Sequence, residues 1–199
     1  MSLLRNVFAS KIEGWLKENT IIDGTYTINE DLSIDVHGSI KIVLSNVDES
    51  HIKRMRIIQG NFNCSGCENL ESLEGAPKEI GGSFYCEMCT KLSSLKGAPT
   101  KVHGNFNCSG CENLESLEGA PEEIDGSFYC EMCTKLSSLK GAPKKVHGNF
   151  NCSGCENLES LEGAPEEVDG HFVCLGTRFS ENDVRNVAKI KVKGNVYCS

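Results

Sequence analysis

The sequence predicts a repeat solenoid, mainly parallel β-sheet, with a helix and hairpin capping its N-terminal end and a short helical cap at its C-terminal end. Three observations predict it. Residues 60–103 and 104–147 are identical at 41 of 44 positions, differing only at Lys78/Glu122, Gly81/Asp125 and Thr100/Lys144. Each 44-residue block divides into two 22-residue units, GNFNCSGCENLESLEGAPKEIG and GSFYCEMCTKLSSLKGAPTKVH. All 5 prolines (Pro77, Pro99, Pro121, Pro143, Pro165) fall at one phase, inside Gly-Ala-Pro. A unit this short buries its apolar side only against its neighbours, so a fixed period of this length means stacked coils.

Along the chain, 1–37 reads as an N-terminal cap. Leu4, Val7, Phe8, Ile12, Trp15 and Leu16 lie near helical spacing within 2–18, as an amphipathic helix requires. Residues 25–28 and 32–36 alternate like strands around an Asn29-Glu30-Asp31 turn. Gly38 opens a degenerate unit, 38–59. Five regular units fill 60–169 and start at Gly60, Gly82, Gly104, Gly126 and Gly148. Inside the first, Phe62, Cys64, Cys67, Leu70, Leu73, Ala76 and Ile80 mark the buried side. Phe62-x-Cys64 has the period of a strand, and Gly75-Ala76-Pro77 forbids a long helix on the return side. Residues 170–199 hold a variant unit and a cap. There Ser180 is placed to cap a helix running to Lys189, with Val184, Val187 and Ala188 facing inward.

The run F-x-C-x-x-C-x-x-L-x-x-L resembles the leucine-rich-repeat signature, with the second Cys at the ladder position where that family commonly has Asn. More narrowly, LESLEGAPKEIGG and KLSSLKGAPTKV resemble leucine-rich-repeat proteins of tailed bacteriophages and related bacterial elements. The segments 25–46 and 179–198 resemble the flanks of that group. The resemblance implies a leucine-rich-repeat-like solenoid. It also implies, by analogy, a phage-encoded protein in the host cytoplasm that binds and blocks a host defence or regulatory protein.

Composition narrows the function classes. With 20 Lys+Arg against 28 Asp+Glu, the net charge is -8 and no basic cluster stands out, which argues against nucleic acid as the direct partner. No apolar run has the length to span a bilayer, and the charged first residues lack a signal-peptide cleavage site, so neither membrane nor secretion is expected. The expected location is cytoplasmic.

Three features bear on chemistry. The 12 Cys include five CxxC motifs, at Cys64/Cys67, Cys86/Cys89, Cys108/Cys111, Cys130/Cys133 and Cys152/Cys155, plus Cys174 and Cys198. CxxC is half of a zinc site, but here one Cys falls on the inward strand phase and the other on the ladder phase. Reduced core thiols are therefore the reading preferred over a metal or disulfides, and no cofactor is expected. Charges alternate between units at two phases, Glu74/Lys96/Glu118/Lys140/Glu162 and Glu79/Lys101/Glu123/Lys145/Glu167. Recurring carboxylates make a surface ladder rather than one acid–base constellation, so the protein is read as non-enzymatic. His103, His147 and His171 fall at unit boundaries and read as surface residues. Finally, the outward strand positions carry Asn63, Tyr85, Glu87, Asn107, Tyr129, Glu131, Asn151 and Val173. Tyr among Asn, Ser and Glu suits an adaptable protein-binding surface, so these eight are the candidate partner-binding residues. A metal- or thiol-dependent protein using the Cys rows is the second reading, and a viral structural or assembly component the third.

Overall fold

The computed structural model describes residues 3–43 and 47–198; Ser2, where the first helix was expected to begin, residues 44–46 of the degenerate unit and Ser199 lie outside them. Helix α1 (Leu3–Asn19) leads directly into strand β1 (Thr20–Ile28), which pairs antiparallel with β2 (Ile34–Ile42) along their whole length, from Thr20↔Ile42 to Ile28↔Ile34. The hairpin is longer than the alternation suggested, and Leu32 belongs to its turn, with φ 65°. Gly24 and Gly38 face each other across the pair, where a Cβ on Gly38 would sit 1.9 Å from the Asp23 carbonyl oxygen. Only glycine permits that approach.

Strand β2 then serves as template for two rows of parallel strands. Its second half pairs Ile40 with Phe62, and the same register continues through Phe84, Phe106, Phe128, Phe150 and Phe172 to Val196. Its first half pairs Val36 with Ile58, which pairs with Ile80 and then Val102; the row resumes at Ile124, Val146, Val168 and Val192. Each coil thus contributes one two- or three-residue strand to the Phe row and one short strand to the return row. The protein is a parallel β-solenoid.

The core is a set of columns, one per inward position. Phe62, Phe84, Phe106, Phe128, Phe150 and Phe172 are fully buried, with successive ring centroids 5.1–5.6 Å apart. The first ring pair meets edge-on at 75°, and the last three pairs lie within 20° of parallel. Each buried ring contributes about 1.5–3 kcal/mol relative to an exposed one. Columns of Cys and Leu complete the interior, with Cys64, Cys86, Cys108, Leu70, Leu92 and Leu114 at 0% exposure.

The caps differ from expectation at particular side chains. On α1, Leu16 is buried and Ile12 and Trp15 pack against the core, but Leu4, Val7 and Phe8 are exposed. At the other end, Ser180 caps as expected: its N–H and hydroxyl donate to Asp183 Oδ2 at 2.8 and 2.7 Å, and the Asp183 N–H donates back to Ser180 Oγ at 3.3 Å. Val184 is buried, but Val187 is 69% exposed rather than inward. Asp183–Val187 is wound as a π-helical turn, closed by Ala188 N–H to the Asp183 carbonyl at 2.8 Å. That wider winding carries Val187 round to solvent. Among the described residues, no helix is long and apolar enough to cross a membrane.

Candidate functional site: the outward ladder of the Phe row

A strand with Phe inward must turn the next residue outward. The strand register therefore aligns Lys41, Asn63, Tyr85, Asn107, Tyr129, Asn151, Val173 and Tyr197 in one ladder. From Asn63 to Val173 these residues are half-buried, and Tyr197 is exposed. Tyr85 and Tyr129 stand two strands apart, about 10 Å.

The polar members are clamped to one another. Asn63, Asn107 and Asn151 each accept, through Oδ1, the N–H of the Ser two residues on (Ser65, Ser109, Ser153) at 2.9–3.0 Å. Glu87 accepts from Ser65 Oγ of the preceding coil at 2.8 Å and from Asn107 Nδ2 of the following coil at 2.7 Å. Glu131 repeats this with Ser109 Oγ at 3.1 Å and Asn151 Nδ2 at 2.6 Å. Each carboxylate is tied across three coils and is half-buried. Six of the eight residues expected from the sequence stand on this ladder, and the other two, Glu87 and Glu131, lie two residues beyond Tyr85 and Tyr129 and are tied to it through Asn107 and Asn151.

The sequence reading missed the residue after each Glu. Gly66, Met88, Gly110, Met132 and Gly154 occupy one phase, and all have positive φ: 74°, 54°, 71°, 56° and 70°. Glycine adopts this left-handed conformation freely, whereas for other L-residues it costs about 1–2 kcal/mol. Met88 and Met132 are nevertheless 62% and 66% exposed, so burial does not offset that cost. Their side chains reach toward the next coil: a Cβ on Gly110 would lie 3.1 Å from Met88 Cγ, and one on Gly154 3.2 Å from Met132 Cγ. Leu175, at the Glu/Ser phase of the variant coil, is exposed as well. A signal was present in the sequence, since Met aligns with Gly at a fixed phase.

The remaining candidates lie elsewhere. Eleven of the 12 Cys are buried; burial pushes the Cys67 and Cys174 thiols up to about 12. The alternating charges pair on the other faces, Lys96–Glu74 at 3.0 Å, Lys140–Glu118 at 3.4 Å and Lys101–Glu79 at 3.4 Å. His103 bridges Glu79 (2.8 Å) and Asp125 (3.0 Å), and His147 bridges Glu123 (2.7 Å) and Asp169 (2.9 Å). Among the described residues, no group of three or more His, Cys, Asp or Glu side chains is arranged to hold a metal ion. One depression lies beside α1, lined by Phe8, Trp15, His51 and Arg54; another lies beside the C-terminal helical turn, lined by Phe179 and Val187. Neither is on the ladder. No protein-family model, curated protein or solved structure matches the chain.

Proposed function

We propose that this solenoid is a non-enzymatic binding protein whose ligand is another protein, held along the outward ladder. One observation carries the reading: Met88 and Met132 occupy a left-handed backbone position where the neighbouring coils have glycine, and they leave their side chains in solvent. Strain kept without a folding benefit is a pointer to function. Exposed Met and Tyr are contact groups of adaptable interfaces. The clamped carboxylates of Glu87 and Glu131 favour a partner with a basic patch. The resemblance to phage leucine-rich-repeat proteins adds a narrower reading: the chain acts in the host cytoplasm, and its partner is a host defence or regulatory protein that it blocks.

The test is comparative affinity capture from the host, read by mass spectrometry. The wild type and a Glu118→Lys/Glu162→Lys control should retain the same partner, and Tyr85→Ala/Tyr129→Ala should lose it with little change in melting temperature. Each buried aromatic contact of this kind is commonly worth about 2 kcal/mol or more. Loss of the partner from the control, with retention by the Tyr variant, moves the site to another face. Replacing Glu87 and Glu131 by Gln keeps hydrogen-bonding groups in the clamp while removing charge, so it should slow association more at low salt than at high salt.

A further inference from the structure

The interior holds nucleophilic side chains that the binding reading does not use. The two Cys columns are not independent: the second Cys of one coil lies against the first Cys of the coil before it. Cys89 Sγ donates to the Cys64 carbonyl at 3.3 Å, which seats its sulfur against Cys64, whose own thiol donates to the Tyr85 carbonyl at 3.4 Å. The arrangement recurs for Cys111 on Cys86 (3.1 Å), Cys133 on Cys108 (3.4 Å) and Cys155 on Cys130 (3.1 Å). Partners in a pair are 25 residues apart, not three.

Where the two sulfurs of a pair can be told apart, they are chemically unequal. Cys64 is held well above the usual thiol range, first by the adjoining Cys89 sulfur and then by burial. Cys89 is lowered, first by the adjoining Cys64 thiol and then, against the opposing effect of burial, by the backbone N–H groups of Cys67 and Gly66. Cys155 is lowered in the same way, by the Cys130 thiol and then the Cys133 N–H. One sulfur of the pair therefore gives up its proton more readily than its neighbour, as a nucleophile beside a resolving thiol requires.

We propose that these pairs are oxidation sites that close as cross-coil disulfides, Cys64–Cys89, Cys86–Cys111, Cys108–Cys133 and Cys130–Cys155, when the protein meets a small hydroperoxide. In the first pair the Cys89 sulfur attacks a peroxide oxygen. An S–O bond forms, the O–O bond breaks, and the departing hydroxide takes the Cys89 proton to become water. The Cys64 sulfur then attacks the sulfenic sulfur: the S–S bond forms, the S–O bond breaks, and the Cys64 proton leaves with that oxygen as a second water. Two thiols and one hydrogen peroxide give one disulfide and two waters. Access needs only local opening of a coil held by two-residue strands, and local opening costs less than global unfolding.

The experiment treats the folded full-length protein with graded hydrogen peroxide, blocks residual thiols with an alkylating reagent, and maps linkages by tandem mass spectrometry. The expected result is a mass loss of about 2 Da per bridge. Every bridge should join the first Cys of one coil to the second Cys of the next, and the oxidised protein should melt higher until it is reduced again. Cys89→Ala should lose the Cys64–Cys89 bridge and retain Cys108–Cys133. Bridges within a CxxC, bridges along one column such as Cys64–Cys86, or sulfinic acid without bridging would each overturn the proposal. So would a folded protein that stays reduced while the urea-unfolded chain oxidises. Should Cys89→Ala fail to fold, the wild-type linkage map decides alone.

Discussion

Inside the Phe row every regular coil carries the same residue, while outside it neighbouring coils differ. The inward positions read Phe, Phe, Phe, Phe, Phe from Phe62 to Phe150; the outward ones read Asn63, Tyr85, Asn107, Tyr129, Asn151. The alternation extends to Ser against Glu and to Gly against Met, two and three residues further on. The Phe column repeats every 22 residues because each ring packs against an identical ring, while the buried return row changes by only a methylene between coils, Ile80, Val102, Ile124, Val146. The exterior repeats every 44 residues, because a clamped Glu needs Ser on one side and Asn on the other, and a left-handed Met needs a glycine beside it. The unit of the Phe column is one coil, but the unit of the outward surface is two.

Substitutions can break this contrast or sharpen it. The largest effect is expected for Phe106→Ala, which leaves a cavity in the middle of the ring column and should cost about 3–5 kcal/mol in urea unfolding. Tyr129→Ala, one coil away on the opposite face, should cost about 0.5 kcal/mol or less. Equal losses would abolish the distinction between the faces. Next is Gly110→Met, which puts a side chain on a position with φ 71° and against Met88 Cγ. It should cost about 1–2 kcal/mol, and less in a Met88→Gly background. Additive losses in that cycle would show that Met and Gly do not alternate for steric reasons. Met88→Gly alone should stabilise the fold by about 1 kcal/mol while weakening partner binding.

The smallest effect is expected on the return side. His147 titrates above the usual imidazole value of 6.5, through its hydrogen bonds to Glu123 first and Asp169 second, against smaller opposing effects of burial and then Lys145. The bridge therefore stabilises fully below about pH 6.5, and that contribution is lost as pH rises through the raised value. All three groups are partly in solvent, so His147→Gln should lower the melting temperature by about 2 °C at pH 5.5 and by less at pH 8.5. A difference that grows with pH would contradict the sign.

The columns of Phe, Cys and Leu were legible in the sequence because burial imposes one residue type per phase, and a repeat displays that phase many times. The charge ladder was legible for the same reason: Lys101 lies in register with Glu79, and Lys145 with Glu123 and Glu167. What stayed hidden depends on backbone conformation rather than on pattern. Apolar spacing gives no φ, so nothing in it singles out Met88. Helical spacing placed Val187 inward because it assumes an α-helical turn, and the π-helical turn defeats that assumption. The clamps on Glu87 and Glu131 and the diagonal thiol pairs join neighbouring coils out of phase, and a single 22-residue unit contains only one partner of each contact.

The backbone at the coil corners has a further meaning. From Gly60 to Gly194 the N–H of each corner glycine donates to the carbonyl of the corner glycine one coil earlier, at 2.8–3.1 Å, beginning at Gly38. A Cβ at Gly104 would meet Gly82 C at 2.9 Å, and one at Gly148 would meet Gly126 C at 2.7 Å, so the column admits one residue type only. Every coil consequently presents the same seam above and below, whichever coil it is. A gene segment encoding residues 104–147 could be lost or duplicated by recombination between its near-identical copies, and the join would still find a matching seam. Length, then, is the property of this protein that heredity can change most freely. Each such event would remove or add one complete Asn–Tyr step of the ladder, altering the reach of the surface without altering the chemistry of any coil.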